Sequence, residues 1–181
     1  MDLRWHFYVQ NLDMVVCEMV CMFLLWTALM MALKGKARRS VAVCAAALSL
    51  AAVLFLTILN RGSNSATQIS LTPFISFVRA RKHVEIYRAM LMNVCLFMPL
   101  GLSLPFVLSE KYRHSALITI GFALLLSVGV EAVQFIFRLG VCETDDVIMN
   151  VLGASIGTLS FIFCSGLQKL RKNHTHRHIK R

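Results

Sequence analysis

The residues able to do chemistry crowd into one short stretch of the chain. Glu131, Gln134 and Arg138 are followed within a few positions by Asp145, Asp146 and Asn150, and Asn93 stands alone upstream. Carboxylates, amides and arginines in such company hold polar head groups by hydrogen bonds. They act as acid and base where desolvation favours a neutral carboxyl. The spacing is helical. Ser127, Glu131, Gln134 and Arg138 recur at i, i+4, i+7 and i+11, so they form one polar stripe. Asp146, Asn150, Gly153 and Gly157 repeat that spacing on a second helix, whose small residues let another helix approach closely.

The elements that carry these residues are membrane spans. Of 181 residues, 57% are hydrophobic and 15% charged, well short of the quarter or so of charged residues usual in soluble domains. Residues 41–59, 90–108 and 147–167 contain no ionisable side chain apart from cysteine. Residues 14–33 and 116–137 hold one carboxylate each, Glu18 and Glu131. Each run crosses about 30 Å of hydrocarbon as a helix. The expected fold is therefore all-α, a polytopic bundle of about five transmembrane helices, with no room for a sizeable soluble domain. The first span lacks a cleavage motif and reads as a retained helix.

The charges set an orientation. One side holds 12 of the 19 basic residues, in the loop at 34–39, at Lys111 and Arg113, and in the tail, with a single acid, Glu110. The positive-inside rule places that side in the cytoplasm, with the N-terminus outside and the C-terminus inside. Asn93, Glu131, Gln134, Asp145, Asp146 and Asn150 then share one level near the outer boundary, joined by Glu18. The long connection between the second and third spans breaks the pattern with Arg79, Arg81, Lys82 and Arg88. Residues 61–68 of it are polar and turn-like. Residues 69–78 are apolar, interrupted by Pro73, and too short to span. They suit a segment packed over the helices or lying in the interface.

Several chemistries find no support. No CxxC, HExxH, Walker or GxSxG pattern occurs, and no cofactor or metal set is implied. His174, His176 and His178 lie in a basic tail that suits anionic lipid head groups better than a metal. The basic residues are split among loops without stacking aromatics, which argues against nucleic acid.

Three blocks in order resemble the VanZ-like family of bacterial membrane proteins. They are Asn93 through Phe97, Pro99 and Gly101; Ser127 with Glu131 and Gln134; and Arg138, then Asp145-Asp146-Val-Ile-Met-Asn150 with Gly153 and Gly157. A weaker block, Leu71-Thr-Pro73-Phe74, precedes them. The chain departs from the family pattern at Glu143, where an Asp is usual, and at Ser70, where an Asn is usual. The resemblance implies a multi-pass protein of the bacterial cytoplasmic membrane, of a family associated with teicoplanin resistance. It divides the chain into a first span with its basic loop (residues 1–40), a second span with a polar loop (41–68), a VanZ-like membrane domain (69–165) and a basic tail (166–181).

Three functions compete. In the first, an outward polar pocket of Asn93, Glu131, Gln134, Arg138, Asp145, Asp146 and Asn150 binds an anionic envelope lipid, a lipid-linked precursor or a lipophilic glycopeptide. In the second, a membrane enzyme of lipid metabolism uses Glu131 as acid/base with Asp145 and Asp146 as base or magnesium ligands. The third is a scaffold, or a homo-oligomer docked through the Gly153 and Gly157 face.

Overall fold

The computed structural model describes residues 3–59, 69–80, 83–108 and 112–179, with side chains placed from Asp13 to Arg171 except at 112–113. The order is α1 (Leu3–Ala32), α2 (Gly35–Leu54) closing in a π-turn at Phe55–Leu59, β1 (Ile69–Ser70), α3 (Ile75–Ala80), α4 (Val84–Leu108), α5 (Tyr112–Ile136), β2 (Cys142–Glu143) and α6 (Thr144–Ile179). Five of these helices contain stretches long and apolar enough to cross a membrane: Asp13–Ala32, Gly35–Leu59, Val84–Leu108, His114–Ile136 and Thr144–Arg171. The all-α, five-span architecture expected from hydropathy is the one observed. The polar stretch expected at 61–68 lies outside the described residues, as do Arg81 and Lys82.

In a lipid phase apolar burial gives little net drive, so close packing and hydrogen bonds must hold the helices together. The interior is built accordingly. Val53 of α2, Phe97 and Leu100 of α4, Ala123 and Val130 of α5 and Ala154 of α6 form one core. At its centre α4 and α6 meet backbone to backbone. A Cβ placed on Gly101 would collide with the Ala154 carbonyl, and one on Gly153 or Gly157 with the Val94 or Met98 carbonyl. This corrects the expectation that the Gly153 and Gly157 face docks a second copy. Both glycines are buried, and α4 of the same chain already fills that face.

Hydroxyls in the spans mostly return to the preceding turn, as Thr119 does to the Ser115 carbonyl at 2.8 Å and Thr158 to Ala154 at 2.8 Å. Other hydrogen bonds tie α1 to the bundle, among them one from the Cys164 thiol to the Thr27 carbonyl at 3.7 Å. Thr27 and Ser160 share a hydroxyl hydrogen bond of 2.8 Å, and the Trp26 indole N–H donates to the Leu102 carbonyl at 2.7 Å. The Trp26 bond reaches α4 near Pro105, where the missing N–H deprives the Gly101 carbonyl of its helical donor. The basic tail continues α6 as helix to Ile179.

Outside the spans the only regular structure among the described residues is small. β1 and β2 pair in parallel, Ile69 opposite Cys142 and Ser70 opposite Glu143, which brings the connection after α2 against the connection after α5. A turn then leads into α3. The segment shows lipid or solvent an apolar face of Leu71, Phe74, Phe77 and Val78, all exposed.

Candidate functional site

Where α5 ends and α6 begins, three short stretches converge. α5 closes with a left-handed cap: Arg138 has φ 55°, the Leu139 N–H bonds back to the Gln134 carbonyl at 2.8 Å, and the Arg138 N–H to Phe135 at 3.3 Å. These two bonds satisfy carbonyls that the last turn would otherwise leave bare. The cap turns the chain sharply enough for β2 to run beside β1.

Glu131, one turn earlier on α5 and 5% exposed, accepts the Glu143 N–H at 3.0 Å. It also bonds the Cys142 thiol. That thiol is pushed above its ordinary pKa first by burial, then by the charge and hydrogen bond of Glu131, and last by Asp146. The Glu143 carboxylate in turn accepts the Ser76 hydroxyl at 3.1 Å. Asp145, 1% exposed, spends both carboxylate oxygens on main-chain donors: Oδ1 takes the Phe74 N–H at 2.6 Å and Oδ2 the Ser76 N–H at 2.7 Å. Phe74 sits at φ 64°, an unfavourable conformation for an aromatic residue, and one of the two bonds falls on its own N–H. The segment from Ser70 to Ser76 is therefore strapped to the start of α6 by a clamp of Asp145 and Glu143.

Two amides complete the cluster. The Asn150 Nδ2 donates to Ser127 Oγ at 2.8 Å, and the Gln134 Nε2 to the Thr57 carbonyl, in the π-turn of α2, at 2.9 Å. Their oxygens are buried without a hydrogen-bond partner. Asn150 is 3% and Gln134 1% exposed, so two hydrogen-bond acceptors stand bare in the protein interior.

The residues singled out from sequence thus fall into three groups. Glu131, Asp146 and Asn150, from α5 and α6, lie around Cys142 and Ser127, with Gln134 reaching across to α2. Asp145 is in the same neighbourhood but acts as a clamp: each of its oxygens accepts a main-chain N–H of the strap. Arg138 is not on the stripe. α5 stops at Ile136, and the left-handed cap leaves Arg138 exposed on the surface, with Arg79 and Arg88 also exposed. Asn93 is half-buried on α4 and makes no hydrogen bond with the cluster among the described residues; Glu18 is exposed on α1. Among the described residues, no three His, Cys, Asp or Glu side chains come together as a metal site would require.

Sequence reasoning missed Ser76, Thr57 and the partners of Cys142. Ser76 follows Pro73 at the start of a short helix, a weak turn signal. Nothing in the sequence marks the Thr57 carbonyl.

An apolar groove of about 540 Å³ runs between α1 and the α4–α6 pair, and no acid or amide of the cluster lines it. Phe77 and Met149, chain neighbours of Ser76 and Asn150, line it. It continues along Val20, Leu91 and Met98 to Leu159.

Five spans, a buried cluster of acids and amides, and a strap clamped across one end define a multi-pass helical membrane protein with a polar centre among its helices. The family model described as VanZ/LLP1 matches residues 42–165, and the chain belongs to that family. It is 35% identical over 90 residues to Protein VanZ of Enterococcus faecium, a stretch that covers 49% of each chain. The chain thus matches about half the length of that relative. No solved structure matches it.

Proposed function

We propose that this VanZ-like protein binds a lipid-tailed, hydrogen-bond-rich amphiphile at the end of the bundle where α6 begins. The class takes in lipid-linked envelope precursors and lipophilic glycopeptides. The observation that carries the reading is the pair of bare acceptors, Gln134 Oε1 and Asn150 Oδ1, in a buried acidic cluster; an apolar groove reaches Met149, the residue before Asn150. Buried acceptors without partners cost about 1–3 kcal/mol each, so a donor supplied by a guest accounts for them. Hydroxyl and ammonium groups suit carboxylates and amide oxygens. A hydrocarbon tail suits the groove, whose size is that of a small-molecule site. An anionic head group could draw on Arg79, Arg88 and Arg138, all exposed. By the positive-inside rule this end would face outward from the bacterial cytoplasmic membrane, where teicoplanin and envelope precursors are encountered.

The experiment is expression in a susceptible bacterium with the teicoplanin inhibitory concentration as readout. Asn150→Leu and Glu131→Gln, and separately Leu91→Trp to fill the groove, are expected to return susceptibility to that of cells without the protein, at unchanged membrane abundance. Wild-type resistance in all three variants, or no resistance from the unaltered chain, would overturn the reading.

A further inference from the structure

At the opposite end of the bundle lies a second site with the reverse electrostatic character. α1 ends at Ala32 and α2 begins at Gly35, so the turn between them sits where two spans leave the apolar phase. Beneath it is a cavity of about 400 Å³, lined by Lys34, Arg38, Gln168 and Arg171, with no acid among its lining residues. Along α6 it is on the order of 35 Å from the Asp145 clamp at 1.5 Å rise per residue.

Three features make it more than a basic surface. Lys34 is the N-cap of α2, and its ammonium, a donor only, makes no capping bond to the first N–H groups of that 20-residue helix. The positive end of the helix dipole adds to the field there. Arg38 is held in place, its guanidinium 4.7 Å from the Phe106 ring centroid, and that ring packs edge-on against Phe161 at 5.0 Å. Its Nε–H is nevertheless buried with no acceptor. A preset guanidinium with an unused donor, a lysine and an uncapped helix N-terminus around one cavity, with Arg171 on its wall, suit an anion.

We propose that this cavity binds a phosphate group, as the head of an anionic phospholipid or as free phosphate. Met31 and Leu33 line its wall. They give a phospholipid's glycerol and upper chains an apolar exit at the boundary of the span, whereas free phosphate would use only the polar groups. The site is independent of the acidic cluster, and its test needs no antibiotic.

The full chain, purified in a non-ionic detergent, is titrated with short-chain phosphatidylglycerol, the matching phosphatidylcholine and inorganic phosphate, and binding is followed by thermal shift and native mass spectrometry. Phosphatidylglycerol is expected to bind at least tenfold more tightly than phosphatidylcholine, and more weakly as salt rises. Lys34→Gln with Arg171→Gln, which leaves Arg38 stacked on Phe106, is expected to weaken binding at least tenfold. Arg39→Gln, exposed on α2 and outside the cavity, leaves it unchanged. Loss on phosphatidylglycerol alone identifies a lipid site, and parallel loss on inorganic phosphate shows that the phosphate group suffices. Equal binding of the two lipids, or unchanged binding in the double variant, would overturn the proposal.

Discussion

Asp145 looks, in the sequence, like half of a catalytic or metal-binding acid pair, and the structure gives it a different task. A carboxylate that accepts two main-chain N–H groups across an interface is a clamp. Asparagine in its place keeps one acceptor and turns an NH2 toward the other donor. Asp145→Asn is expected to cost about 1–3 kcal/mol locally. Hydrogen exchange at Phe74 and Ser76 should rise sharply while α4 and α6 stay protected; unchanged exchange there would remove the clamp from the account. Cys142 offers a second check at this scale. Its raised pKa keeps it a thiol at neutral pH, so alkylation should be slow and gain speed only in alkaline solution. Glu131→Gln removes one negative charge and one hydrogen bond that favours the thiol. The midpoint of the pH–rate profile should fall, with alkylation near pH 8 faster by about 2- to 10-fold. A midpoint that stays fixed would separate Glu131 from Cys142.

At the scale of elements, the α4–α6 contact decides which glycines matter. Gly101, Gly153 and Gly157 have no room for a Cβ, whereas Gly121, Gly129 and Gly166 have nothing within 4 Å of one. Alanine at any of the first three is expected to destabilise by about 1–3 kcal/mol or more, because the obstacle is backbone and cannot rotate away. At the second three it should be neutral, or stabilising by up to about 1 kcal/mol. Melting curves in detergent would show the split, and a flat series would contradict the packing. The spans themselves were readable, since an 18-residue apolar run has few alternatives. The i, i+4 spacing also brought Ser127, Glu131 and Gln134 to one face. It failed at Arg138 because periodicity assumes that the helix continues, and a left-handed cap at a non-glycine residue carries almost no sequence signal. It failed to assign the Gly153 face to a partner because a small-residue stripe reads the same whether the neighbour is another chain or α4.

For the whole molecule, charge separates along the bundle axis: acids at one end of α6, cations at the other. The positive-inside rule then predicts the acidic end outside. Reporter fusions in the loop at 34–39 and at the C-terminus should report the cytoplasm, and a tag at Thr72 the exterior. The opposite pattern would invert the assignment of both sites. Residues 69–80 were the least readable part of the whole. Their fixing depends on Glu143, Asp145 and β2, more than 60 positions away, and no local pattern encodes so distant a partner.

The backbone contact between α4 and α6 has a mechanical consequence. Two helices that touch main chain to main chain cannot slide or part without losing their interlock, so this pair is a fixed wall. α1, on the other side of the groove, is mostly exposed along its span. It is pinned near its far end by Trp26 and Thr27. A guest held as proposed would then have to pass α1, by Val16 and Val20, where only side-chain packing such as that of Met19 would give way.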